Sequence, residues 1–313
     1  MGRLSKLRVV DPVLSALALG YSNAEFIGDQ LLPFVTLDKE GGKIPRFGKD
    51  VFRLYATERA LRAKSNRINP DDVDGIDISL DEHDLEYPID YREDAEAAFP
   101  LQAHATNRVV EGIRLRHEAM VASITQNPAN YPTGNKIALS GSAVFTDPNS
   151  DPEGVVDEAK AAVRNKIVKE PNTMAIGYKA WRALKRHPKL KAILSDTRSR
   201  LVQIADLREI FEIENIVVGK GIYSTDNGVV TDLWGGNLVL AYVPKAAPAV
   251  AGDAPVRSAY EPSFGYTLRK KGMPETDKYD AEGNKVEYVR HTDIYKVVVV
   301  GADAGYLIAD TNA

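Results

Sequence analysis

A histidine followed by a glutamate is the pairing in this chain that most invites a catalytic reading. His117-Glu118 begins the H-E-x-x-H pattern, in which two histidines one helical turn apart hold zinc and the glutamate serves as base. Position 121 is Val, so the second ligand is missing and His117 reads as a packing or surface residue. Asp72, Asp74 and Gly75 imitate part of a calcium loop. Aligning Gly75 to the glycine position, however, puts Pro70 at the first ligand and Asp81, not Glu, at the last. Gly41-Gly42-Lys43 lacks the upstream glycine and the hydroxyl of a phosphate loop, because positions 37 and 44 are Leu and Ile. Gly219-Lys220-Gly221 follows an apolar run, but Ser224 stands where a dinucleotide fingerprint has Gly. There is no G-x-S-x-G elbow, and the histidines at 83, 104, 117, 187 and 291 show no ligand spacing. With no cysteine, thiolate chemistry and disulfides are excluded. The residues point away from an enzyme and call for no cofactor and no metal. One basic cluster, Lys185, Arg186, His187, Lys189 and Lys191 beside Trp181, either meets phosphate or is a solvated face whose Trp packs inward.

The elements that would position such residues must come from a chain of ordinary soluble composition, 44% hydrophobic and 27% charged. Its 313 residues allow roughly two domains at ~150 residues each. A pI near 5.8 argues against a mainly DNA-binding role. The first twenty residues have a basic start and a short apolar stretch, but Asp11 and Pro12 interrupt it and no small-residue cleavage site follows, so no signal peptide is expected. No apolar run approaches the ~18–20 residues of a membrane span.

Charge is sorted along the chain. From Met1 to Arg67 twelve Lys/Arg face seven Asp/Glu, a net of +5; from Ile68 to Pro100 one Arg faces twelve Asp/Glu, a net of −11. The whole chain is nearly neutral at −4. Residues 41–92 read as a long extended hairpin with a mobile tip. Ile76-Asp77-Ile78-Ser79-Leu80-Asp81 alternates strictly, and Asn69-Pro70-Asp71-Asp72 is turn chemistry. Such an arm has no hydrophobic interior of its own and needs a neighbour.

Around it, Asp11-Pro12 reads as the start of a short helix with Leu14, Leu17 and Ala18 on one face. The strongest helix lies within 93–126, about 25 residues long. Val109/Val110, Ile113, His117, Met120/Val121 and Ile124 form its stripe, with Arg108, Glu111, Arg114, Arg116 and Glu118 off it. Asp151-Pro152 caps a second helix facing inward through Val156, Ala159, Val163 and Ile167. After Pro171 the texture turns α/β. Strands are expected at 173–177, 216–219, 238–243, 258–268, 293–300 and 306–308, helices at 178–186 and 204–212, a loop over 245–255, and a hairpin turning at Glu282-Gly283-Asn284.

This order of elements resembles the major capsid proteins of tailed bacteriophages, with the Hong Kong 97-type α+β fold. The resemblance is carried by GGKIPRFGKD into the hairpin, DYREDAEAAFP into the long helix, EPNTMAIGYKAWRALKRHPKLK, and IENIVVGKGIY followed by LVLAYVP. It implies an N-terminal arm (1–40), an extension loop (41–92), a peripheral domain with a spine helix (93–170) and an axial domain (171–250). A return to the peripheral β region (251–290) and C-terminal axial strands (291–313) complete it. It further implies a structural protein that assembles with itself, through pentamers and hexamers, into an icosahedral shell around double-stranded DNA. Lys49, Arg53, Arg59, Arg62, Lys64, Arg67, Asp71, Asp72, Asp74, Asp77 and Asp81 would then make contacts between subunits. Some members cross-link a hairpin lysine; Lys49 or Lys64 is the donor candidate, with no acceptor matched. The chain lacks the long N-terminal scaffolding extension of the cross-linking members, so a separate scaffold or prior processing is expected. Portal and decoration proteins, non-specific DNA contact, no membrane, and assembly in the bacterial cytoplasm into a virion complete the picture. An encapsulin-like shell holding protein cargo shares the fold and is the alternative; an α/β enzyme with an oligomerisation arm is a third reading.

Overall fold

The computed structural model describes residues 23, 25–46, 57–59, 61–62, 64–67, 74–194, 201–225, 227–245, 262–280, 283 and 285–312. The helix expected from Asp11-Pro12 lies outside them, as do most of 245–255 and the residues Lys49, Arg53, Asp71 and Asp72.

The chain enters through α1 (Gly28–Leu31) and β1 (Phe34–Leu37), then β2 (Gly41–Arg46), β3 (Asp74–Ser79) and β4 (Asp81–Asp90). Asp90 caps α2 (Tyr91–Glu96), its carboxylate accepting the Arg92 N–H at 2.9 Å. Pro100, which cannot continue a helix from before, precedes α3 (Leu101–Thr125), whose 25 residues span about 37 Å. There follow β5 (Lys136–Ala138) and α4 (Pro152–Ile167). Pro152 does open α4, but Asp151 makes no side-chain cap bond. Next come β6 (Thr173–Gly177), α5 (Tyr178–Leu184), α6 (Pro188–Ile193), and α7 (Ile204–Phe211), which opens on a Gln203/Asp206 capping box. The chain closes with β7 (Asn215–Gly219), β8 (Ile222–Ser224), β9 (Val230–Asp232), β10 (Leu238–Ala241), β11 (Gly265–Lys270), β12 (Glu275–Asp280), β13 (Val286–Val299) and β14 (Gly305–Ala309).

Two five-stranded sheets result among the described residues. In the first, β13 is the spine. One edge of it receives β12 and then β11, with β1 parallel beyond β11; the other receives β4 in ten-residue register from Asp81↔Tyr295 to Asp90↔Val286. The separate strands expected around 286–300 are one strand. The acidic run assigned to the arm is divided, with β3 in the hairpin and β4 at the sheet edge. Most β4 side chains are exposed on both faces, which erases the period-two signal, and charge along an edge strand blocks stray pairing.

The second sheet runs β5-β14-β10-β6-β7 and is covered on both faces. Met174, Ile176, Leu238 and Leu240 face the helices α4, α5 and α7; Ala175, Val239 and Ala241 face the C-terminal half of α3, α1 and Tyr295. Double burial explains why these strands read as continuous apolar runs. The long helix therefore packs its N-terminal half on the first sheet, through Leu101, Ala105 and Val109 against Ile89 and Val289, and its C-terminal half between the two sheets.

Candidate functional site

The hairpin carries exposed charge, so its anchorage comes first. β2 and β3 pair from Gly41↔Ser79 to Arg46↔Asp74. The expected alternation is realised: Ile78 and Leu80 are buried, while Asp77, Ser79 and Asp81 are exposed. The buried face differs from the expectation of an arm with no interior. Ile44 and Ile78 join Val35, Leu80, Tyr266, Leu268 and Ile294 in one cluster, so the hairpin's base is fixed by its own chain. Gly41, Gly42 and Lys43 are strand residues, not a phosphate loop, and Gly75 pairs with Pro45 where a calcium loop would turn.

Of the proposed contact residues, Arg59, Arg62, Lys64 and Arg67 are described and exposed. Asp74 is described in its backbone alone, paired with Arg46. Asp77 faces Lys43 across the hairpin at 3.5 Å, with the two side chains 79% and 70% exposed; such a pair contributes little by itself. Asp81 reaches Lys296 of its own sheet at 2.5 Å.

Elsewhere in the core lies a buried polar seam. Glu118, placed off the helix stripe by its sequence position, is only 1% exposed. The stripe widens because the second half of α3 meets two bodies at once. The Glu118 carboxylate accepts the Ile27 N–H at 3.1 Å and the Gly28 N–H at 2.8 Å, both at the start of α1, and the Trp234 indole N–H at 2.6 Å. A Cβ on Gly28 would stand 2.7 Å from a Glu118 oxygen and would displace the carboxylate from its present position. Burial pushes the Glu118 carboxyl above its ordinary range, against the three hydrogen bonds. With every donor spoken for, Glu118 is a clamp between arm, spine helix and the loop after β9, not a general base.

His117 points elsewhere, as neighbours on a helix must. It stacks on Phe34 at 4.8 Å and bonds Thr267 Oγ1 at 3.0 Å; burial, then the Arg269 charge, lowers its pKa to about 4. His83 stacks on Tyr295 at 4.1 Å and faces Asp293 across the β4–β13 ladder. Arg269 binds Asp293 at 2.8 Å and lies over the Phe34 ring. A cavity of about 310 Å³ opens here, lined by Phe34, His117, Arg269, His291 and Asp293 among others. The sequence kept these histidines apart; the β4–β13 register brings His83 and His291 to one place. Among the described residues no group has metal-holding geometry. His117 and Arg269 tie β1, α3, β11 and β13 together here, while Arg269 Nε and Asp293 Oδ1 are buried without a hydrogen-bond partner. Trp181 is half-buried against the core of the second sheet's helices, whereas Arg182 and Arg186 are exposed. No helix among the described residues is long and apolar enough to cross a membrane.

The comparisons agree with this architecture. The chain is 56% identical, over the full length of both, to the "Major capsid protein" of Burkholderia phage BcepMu. It is similar to the crystal structure of a phage-related protein from Bordetella bronchiseptica RB50, with a TM-score of 0.74 and 37% identity, covering 97% of this chain and 98% of that one. It also shares its fold with the SrpI encapsulin of Synechococcus elongatus, at a TM-score of 0.58 and 11% identity, covering 97% and 98%. That likeness extends to phage capsid proteins of the Hong Kong 97 type and concerns the fold alone. The model of the family described as phage major capsid protein E matches residues 22–252. With most of its length matched and its hairpin, spine helix and two sheets in that order, the chain belongs to the phage major capsid protein E family.

Proposed function

We propose that the chain is the structural subunit of a tailed-phage head, assembling with its own copies through pentamers and hexamers into an icosahedral shell around double-stranded DNA. The observation that carries this reading is the charged hairpin: its base is fixed by the buried cluster around Ile44 and Ile78, while Arg59, Arg62, Lys64 and Arg67 are all exposed. An arm so anchored is rigid where it leaves the subunit and charged where it reaches outward. Repeated around a ring, individually weak pairs add up and respond to salt.

In this reading residues 1–40 form the arm, 41–92 the extension loop, 93–170 the peripheral domain and 171–250 the axial domain. Residues 251–290 return to the peripheral β region and 291–313 supply the C-terminal axial strands. The eleven hairpin residues from Lys49 to Asp81 meet neighbouring subunits. Scaffold, portal and decoration proteins are partners, DNA is touched non-specifically, no catalytic step is needed, and the shell forms in the host cytoplasm before it is part of a virion. Electron microscopy of the purified chain tests this. Closed shells, or rings of five and six, are expected; a monodisperse monomer that stays so with co-expressed scaffold would overturn the reading, and shells that co-purify a protein cargo would redirect it to an encapsulin-like compartment.

A further inference from the structure

We propose that the cleft between α5 and the segment 145–148 binds the phosphate backbone of nucleic acid without regard to base sequence. The inference deepens the capsid reading and rests on it only for which nucleic acid the site meets.

The cleft has a volume of about 620 Å³ and is lined by Lys179, Arg182, Arg186 and His187, with Phe145 and Asn312 among the others. No carboxylate is among its lining residues. Lys179, Arg182 and Arg186 are exposed and recur at spacings of three and four, which puts them on one face of α5 and its continuation. The basic cluster legible in the sequence thus divides: Arg186 and His187 line the cleft with Lys179 and Arg182, whereas Lys185, Lys189 and Lys191 do not. Seven residues of helical rise spread the three cations over about 10 Å, the reach of a strand that presents a phosphate every ~3.4 Å of axis. Guanidinium groups match phosphate oxygens in a planar, two-pronged way.

A second observation comes from His187, which is 2% exposed. Its Nε2 lies 3.1 Å from the Asp147 carbonyl and 3.0 Å from Ser150 Oγ, while Nδ1 is buried without a partner. With the Nε2 proton donated to that carbonyl, Nδ1 is left as a buried acceptor without a partner, so His187 shapes the wall of the cleft while Lys179, Arg182 and Arg186 supply its charge. Asp147, whose carbonyl His187 meets, has its carboxylate already accepting the Asn149 N–H at 2.8 Å. Trp181 is packed against the core, so stacking on bases is not offered and the recognition is of backbone alone.

Fluorescence anisotropy with a short labelled duplex of arbitrary sequence, titrated from about 50 to 200 mM salt, tests the site. Lys179→Gln/Arg182→Gln/Arg186→Gln is expected to weaken binding at least about tenfold and to lower the log–log salt slope by about 2–3, at ~0.9 per phosphate contact. The Lys185→Gln/Lys189→Gln/Lys191→Gln variant, equal in charge but off the cleft, should bind nearly as the wild type does. Equal losses in both variants, or none in the first, would overturn the proposal. So would a polyglutamate peptide that competes as well as DNA, which would assign the cleft to an acidic protein segment. The single Arg182→Gln variant, removing one exposed side chain, gives the same reading at about one unit of slope should the triple fold poorly. Failure of the capsid reading would appear separately, as an absence of shells from the wild-type chain.

Discussion

Glu118 and His117 are adjacent and do opposite jobs. Replacing Glu118 with Ala strands three buried donors, those of Ile27, Gly28 and Trp234, and should cost about 3 kcal/mol or more in urea unfolding. A loss under about 1 kcal/mol would mean that the donors find other acceptors. His117 is held near pKa 4, against 6.5 ordinarily, so the unfolded chain takes up the proton first as pH falls. Its contribution is complete above pH 6.5 and is lost between 6.5 and 4, on the order of 3 kcal/mol. Burial lowers His83 and His291 in the same direction, while the raised carboxyls of Glu118 and Asp293 work the other way. His117→Gln should therefore flatten the fall of Tm between pH 6.5 and 4 relative to wild type, and an unchanged pH profile would refute the assignment. The sequence placed His117 on the inward stripe but disclosed neither its partners nor the burial of Glu118. A glutamate one step from the stripe looks solvated until a second body packs on that side of the helix, and histidines 83 and 291 meet through strand register, with His117 brought in by the packing of α3.

At the scale of elements, the axial-type strands were readable because burial on both faces leaves unbroken apolar runs, as in Thr173–Gly177 and Leu238–Ala241. The hairpin base was readable for the opposite reason, since Ile76–Asp81 alternates between one buried and one exposed face. β4 was not, because an acidic edge strand shows no period, and the unity of β13 was hidden by its partner changing midway from β12 to β11. Two predictions belong here. A Cβ on Gly219 would fall 2.2 Å from the Trp234 ring, which its indole bond to Glu118 holds in place, so Gly219→Ala should cost about 2 kcal/mol or more by chemical denaturation. Ile78→Ala should remove about 2 kcal/mol from the hairpin base. Amide exchange should then quicken in 41–46 and 74–79 while β6 and β10 stay protected; uniform loosening would show that the hairpin and the second sheet open as one unit.

For the whole molecule, the sorted charge was the feature of the sequence that most directly announced an assembling protein. A nearly neutral chain with +5 up to Arg67 and −11 over the next thirty-three residues has a polarity that a self-contained fold does not require. The fold explains where some of that polarity goes: part is settled inside the subunit, as in Asp81 with Lys296 and Asp77 with Lys43, while Arg59, Arg62 and Arg67 are exposed. What the sequence could not convey is how firmly the arm is held, since that depends on Val35, Tyr266 and Ile294 arriving from distant strands. The most direct measurement is electron microscopy of the Arg59→Glu/Arg62→Glu/Arg67→Glu variant beside the wild type, at low salt and at about 1 M salt, where screening shortens to ~3 Å. The expected result is shells from the wild type that loosen in high salt, and no shells from a variant whose circular dichroism and Tm are unchanged. Normal shells from the variant would contradict the claim that the hairpin's charge binds one subunit to the next.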